Sequence, residues 1–147
     1  MNLIRTTTRG IAALMVIAGL ASAPAFAMEE KVKAVYHLTN GLDEAQRALR
    51  NVRNHLNADP TAKIVVVGNG NGVEFMLDGA KDKNGNPFDA TIQGLRTKGV
   101  EFRLCNNTLV SRKIDKARVI PDVTIVPSGV AEAAKLQARE GFVYLRP

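Results

Sequence analysis

"KIVVVGNGNGV", residues 63–73, decides how this chain folds. A strand is expected over Lys63–Val67, and from Ile64 onward it is apolar at every position, where a strand with one wet face would alternate. A run of that kind is buried on both faces, so it belongs in the middle of a sheet covered by helices. The glycine-rich turn after it leads into a further helical segment, since Asn71 followed by Glu74 has the spacing of a helix start.

Working outward, "KVKAVYHL" reads as a first strand and is followed by a helix-length segment in which Asp43 and Gln46 have capping-box spacing. In that helix Ala45, Leu49, Val52 and Leu56 recur along one face, while Glu44, Arg47, Arg50, Asn51 and Asn54 fall on the other. Beyond the central strand, "DGAKDKNGNPF", residues 78–88, is the longest polar stretch and reads as a mobile loop. A helix over about Asp89–Lys98 turns Ile92 and Leu95 inward and stops at Gly99. "VEFRLC" is a third strand with alternating polar positions, half-exposed or covered by another subunit, and a helix over Asn107–Ile114 follows it. "DVTIV" and "FVYL" are the fourth and fifth strands, separated by a helix that opens at Pro127-Ser128. Five strands alternating with helices predict an α/β fold, a flavodoxin-like three-layer sandwich whose mainly parallel five-stranded sheet carries helices on both faces.

The first 27 residues read differently. Arg5 and Arg9 precede an apolar run from Ile11 to Ala21 that is too short to span a bilayer, and Ala25-Phe26-Ala27 is an A-x-A cleavage site. An export signal cleaved after Ala27 is expected, which places the protein in the periplasm and leaves one domain over residues 28–147. Losing Arg5 and Arg9 lowers the net charge from +6 to +4, with the basic residues scattered, so neither nucleic acid nor, after cleavage, a membrane is an expected partner.

A single cysteine, Cys105, cannot make an intrachain disulfide, and two histidines (His37 and His55) without metal-site spacing argue against zinc or another metal. Cys105 falls at the carboxyl end of the third strand, where open α/β sheets gather their chemistry. With Asn106 or Asn107 capping the next helix, and Arg103, Arg112 and Lys113 nearby, its thiol would be acidified. The competing reading is a small packed side chain; its parity with Glu101 and Arg103 favours the exposed one. His37 ends the first strand. In a sheet of order 2-1-3-4-5 it would neighbour Cys105 and exchange its proton; alternatively it bonds backbone or water. Asp43 and Glu74 are helix-start residues, and His55 is solvated. "GNGNG" lacks both the dinucleotide and the Walker patterns and reads first as a tight turn; were it to hold a ligand, Gly68, Asn69, Gly70 and Asn106 would line the site.

Four segments, "VYHLTNGLDEAQRALRNVRNHL", "IVVVGNGNGVEFML", "GVEFRLCNNTL" and "VPSGVAEAAKLQAREGFVYLRP", together resemble the DsrE/DsrF-like family of small sulfur-relay proteins. The resemblance implies a flavodoxin-like fold, assembly into homo-oligomers (trimers or hexamers), and a cysteine after the third strand that carries sulfur as a persulfide, here Cys105. Two departures stand out: the resemblance implies a cytoplasmic protein whereas this chain reads as exported, and "NNTLVSRK" follows Cys105 where sulfur-carrying subunits tend to have an alanine-rich helix start. Two functions remain open. One is a carrier that takes sulfane sulfur from a donor, a protein or a small sulfur compound, and passes it to an acceptor thiol without any bound cofactor. The other is a non-catalytic oligomeric module that binds a small ligand or a protein.

Overall fold

The structure, a computed structural model, describes residues 30–147. The expected export signal and its cleavage site lie outside the described residues. In chain order the elements are β1 (Lys33–Leu38), α1 (Gly41–Ala58), β2 (Lys63–Gly68), a 3-10 helix (Gly70–Met76), α2 (Phe88–Arg96), β3 (Glu101–Cys105), α3 (Asn106–Ser111), a 3-10 turn (Lys116–Arg118), β4 (Thr124–Val126), α4 (Gly129–Glu140) and β5 (Val143–Leu145). All four strand pairs are parallel and the order across the sheet is β4-β3-β2-β1-β5. The α/β sandwich expected from the strand pattern is present, with β2 at its centre.

The order itself differs from the 2-1-3-4-5 arrangement, because β2 lies between β1 and β3. Three successive crossovers, β1 to β2 to β3 to β4, step in one direction, and right-handed connections of that kind put their helices on one face. Only the connection from β4 to β5 runs back across the sheet, so α4 lies on the other face. Packing agrees with this. Tyr36, Leu38, Ile64, Val66, Phe102 and Leu104 are buried with α1 and α2, whereas Val35, Val65 and Val67 are buried with Leu136 of α4 and Phe142.

Helix α1 buries Ala45, Leu49, Val52 and Leu56, as its periodicity predicts. Glu44 is the exception: expected on the solvent face, it is only 2 % exposed. No side chain caps the helix at Asn40, and Glu44 turns back so that Oε2 accepts the N–H groups of Thr39 (2.5 Å) and Asn40 (2.7 Å). Those donors would otherwise be orphaned at the helix start. Nor is His55 merely solvated, since its Nδ1 is 3.1 Å from the Tyr36 hydroxyl. The polar segment 78–88, expected to be a mobile loop, is a turn closed on one carboxylate: Asp82 Oδ1 accepts the N–H groups of Asn84 and Asn86, each at 2.9 Å.

Candidate functional site

Neighbouring strands β3 and β4 send their chains to opposite faces, β3 into α3 and β4 into α4. The carboxyl ends of such a pair form a crevice, the usual ligand position in an open α/β sheet. Cys105 is the last residue of β3 and pairs in register with Val126, the last of β4. Its sulfur therefore sits where two helices begin. Around it stand the N–H groups of Asn107 and Thr108 at the start of α3, that of Gly129 at the start of α4, and the Thr108 hydroxyl; the Asn107 N–H also donates to the Pro127 carbonyl oxygen at 3.3 Å. Burial pushes the thiol's pKa up, but these donors outweigh it and hold the pKa below its ordinary value.

The acidifying groups are thus dipoles and not the cations expected from the sequence. Arg103 is held by Glu101 and Glu132. Arg112 is spent on Glu74 (2.8 Å) and on the carbonyl of Gly70 (3.2 Å). Exposure also departs from expectation: Cys105 is 4 % exposed. Strand parity set its face correctly, but the start of α4 lies across that face. A Cβ on Gly129 would stand 3.2 Å from the Cys105 Cβ, 3.1 Å from the Asn69 Cβ and 3.3 Å from the Gly68 carbonyl oxygen, so glycine is what allows α4 to approach.

The glycine-rich turn forms the other wall. Gly72 is fixed by close packing, since a Cβ there would lie 2.1 Å from the carbonyl oxygen of Leu38. Gly70 donates its N–H to Thr108 Oγ1 at 2.9 Å, so one hydroxyl links the turn to the thiol. Asn69 Oδ1 is 2.8 Å from His37 Nε2, and His37 Nδ1 is 2.9 Å from the Tyr144 hydroxyl. An amide oxygen only accepts, so Nε2 carries the proton and Nδ1 accepts from Tyr144. Burial lowers the pKa of His37, and Arg146 adds to that against the opposite pulls of Asn69 and Glu44.

A model of the DsrE/DsrF-like family matches residues 25–146. The chain belongs to the DsrE/DsrF-like family. Among solved structures it is similar to MTH1491, a protein of unknown function from Methanobacterium thermoautotrophicum, at 26 % identity and a TM-score of 0.70, over 80 % of this chain and 100 % of that one. The ychN protein of E. coli shares the fold at 17 % identity and a TM-score of 0.60, over 79 % of this chain and 99 % of that one. No curated protein sequence matches the chain.

In this DsrE/DsrF-like chain the residues singled out from sequence fall into one neighbourhood, with a different connectivity. His37 does not neighbour Cys105 across a strand pair; β2 intervenes, and Asn69, which bonds His37, lies against the same Gly129 that Cys105 does. Asn106 is half-buried, and its Oδ1 is sealed from solvent without a hydrogen-bond partner among the described residues. Thr108, Gly129 and Tyr144 were not picked out by sequence reasoning. The first two carried a signal: Thr108 stands three residues after the cysteine in a helix start, and Gly129 follows the Ser128 cap, whose Oγ accepts the Ala131 N–H at 3.4 Å. For Tyr144, one apolar residue in a closing strand, there was none.

Proposed function

We propose that this protein is an exported, periplasmic sulfur carrier that holds sulfane sulfur as a persulfide on Cys105. The observation that carries the reading is the place of Sγ at the paired ends of β3 and β4, where the starts of α3 and α4 surround it with polar N–H and O–H groups that lower its pKa despite burial. In the loading step the Cys105 thiolate attacks the outer sulfur of a donor persulfide, R–S–SH. A new S–S bond forms as the donor's S–S bond breaks, and the leaving thiolate R–S⁻ keeps the bonding pair and takes up the proton of the more acidic persulfide. Sulfur moves with no net oxidation, so the step needs no cofactor. Unloading is the same exchange, with an acceptor thiolate attacking the outer sulfur of Cys105–S–SH. Donor and acceptor are partner proteins or small sulfur compounds, and the working form is a homo-oligomer, trimer or hexamer. Support for assembly comes from the partly uncovered polar face of β3 and from exposed Val143 and Tyr144 on the edge strand.

Intact mass after incubation with polysulfide tests the reading. The expected adduct is about 32 Da per sulfur atom, removed by reductant and absent in Cys105→Ser. Failure of the native protein to form it, together with resistance of the folded thiol to alkylation, overturns the carrier. The low exposure of Cys105 favours a second reading, an oligomeric binding module without sulfur chemistry, and that outcome would establish it.

A further inference from the structure

We propose that Asn69 is the side chain that receives the outer sulfur of the Cys105 persulfide, and that His37 and Tyr144 are positioning residues that fix which end of its carboxamide faces the crevice. This inference rests on the carrier reading.

A carboxamide has a donor end and an acceptor end, and on a glycine-rich turn nothing in the backbone chooses between them. Here Oδ1 is the end turned to His37, as part of a chain of three hydrogen-bonding groups. The Tyr144 hydroxyl, on a residue 41 % exposed on the edge strand, donates to His37 Nδ1 over 2.9 Å. That leaves Nε2–H to donate to Asn69 Oδ1 over 2.8 Å. His37 is only 8 % exposed and has both nitrogens engaged, so its neutral tautomer is held by geometry. With Oδ1 occupied, the two N–H groups of Nδ2 are turned away from His37. They make no hydrogen bond among the described residues. Asn69 and Cys105 both crowd the same glycine: their Cβ atoms lie 3.1 and 3.2 Å from the place where a Cβ on Gly129 would stand.

Chemistry supplies the need. Once sulfur is loaded, negative charge moves from Sγ to the outer sulfur, about 2.05 Å further out. The groups of Thr108 and Gly129 that lower the thiol's pKa act on Sγ, the inner atom. The outer sulfur then requires its own donor, and the Asn69 amide, with Oδ1 committed to His37 and its Cβ against the same glycine as that of Cys105, is the group on hand. A hydrogen bond to a charged acceptor is worth enough to change a lifetime about tenfold.

The test loads the full-length mature protein with polysulfide, removes excess reagent, and follows decay of the Cys105 persulfide by intact mass. Asn69→Ala is expected to shorten the lifetime about tenfold, with thermal unfolding reporting that the fold is intact. His37→Phe should do the same, because the amide is then free to flip, and His37→Gln should restore most of the lifetime by returning a donor to Oδ1. The double variant Asn69→Ala/His37→Phe should decay no faster than Asn69→Ala alone, since His37 acts only through Asn69. Equal lifetimes in the native protein and in Asn69→Ala overturn this inference alone; additive losses in the double variant overturn the positioning role of His37. Absence of any adduct on the native protein overturns the carrier, and this inference with it.

Discussion

The two faces of the sheet are built on opposite plans. Under α1, α2 and the 3-10 helix lie twenty-four buried apolar side chains, among them Phe75, Phe88 and Phe102 in edge-on contact; under α4 lie five. Beside those five the second face carries charge: Lys63 to Glu101, Glu101 to Arg103, Arg103 to Glu132, and Lys135 to both Glu132 and Glu140. The thick face supplies the stability. The thin face supplies the crevice, because α4 starts from β4, next to the end of β3, before it runs back across the sheet to β5.

If that division holds, truncation on the thick face costs most. Phe75 is fully buried, its ring centroid 5.9 Å from that of Phe88 and 6.3 Å from that of Phe102. Phe75→Ala should remove about 3–5 kcal/mol in urea unfolding. Leu136→Ala, also fully buried but ringed by few apolar neighbours that can settle, should cost nearer 2 kcal/mol. Equal losses would erase the distinction.

The charged strip of the thin face comes next. Arg103 binds Glu132 where both side chains are mostly buried, 15 % and 12 % exposed, so Arg103→Met should cost about 2 kcal/mol with Lys135 left to offset part of the stranded charge. It should also change the acid limb. The hydrogen bond from Arg103 lowers the pKa of Glu101 against the opposing effect of burial, with the charges of Arg103 and Lys63 assisting. Folded Glu101 therefore holds fewer protons than unfolded Glu101 in the window between its two pKa values. That contribution is complete above the ordinary value of about 4.3 and is lost as pH falls through the folded one. Urea midpoints over about pH 3 to 5 should show a shallower acid limb in Arg103→Met than in the native protein.

What the sequence made legible follows the same split. Everything set by local periodicity was readable: the central burial of Ile64–Val67, the inward face of α1, the alternation of β3 and the face on which Cys105 lies. Strand order was not, because periodicity says which side of a strand is buried and nothing about which strand lies beside it. Glu44 was misplaced because helical spacing fixes where a Cβ points, and a long carboxylate can fold back to orphaned N–H groups nearby. Cys105 was expected to be open because its cover, Gly129, lies twenty-four residues along the chain, beyond any local pattern. The sulfur's neighbourhood was therefore foreseen from the right strand end, while its donors came partly from a helix that the local sequence does not contain.

The smallest predicted effect is the sharpest probe of the crevice. Thr108 is 7 % exposed, accepts the N–H of Gly70 and is among the groups that lower the thiol's pKa, so Thr108→Val removes one polar group from around Sγ while nearly preserving volume. The pH midpoint for iodoacetamide alkylation of Cys105 should begin below the ordinary value of about 8.5 and rise toward it in the variant. Stability should respond with the matching sign. A thiol whose folded pKa is depressed stabilises the fold fully above its unfolded pKa, and that contribution fades as pH falls through the folded value, so the native protein should gain stability on rising toward pH 8.5 and the variant should gain less. A midpoint that stays put would mean that backbone N–H groups alone hold the charge, and the two helix starts, without the hydroxyl, would then account for the acidity of this thiol.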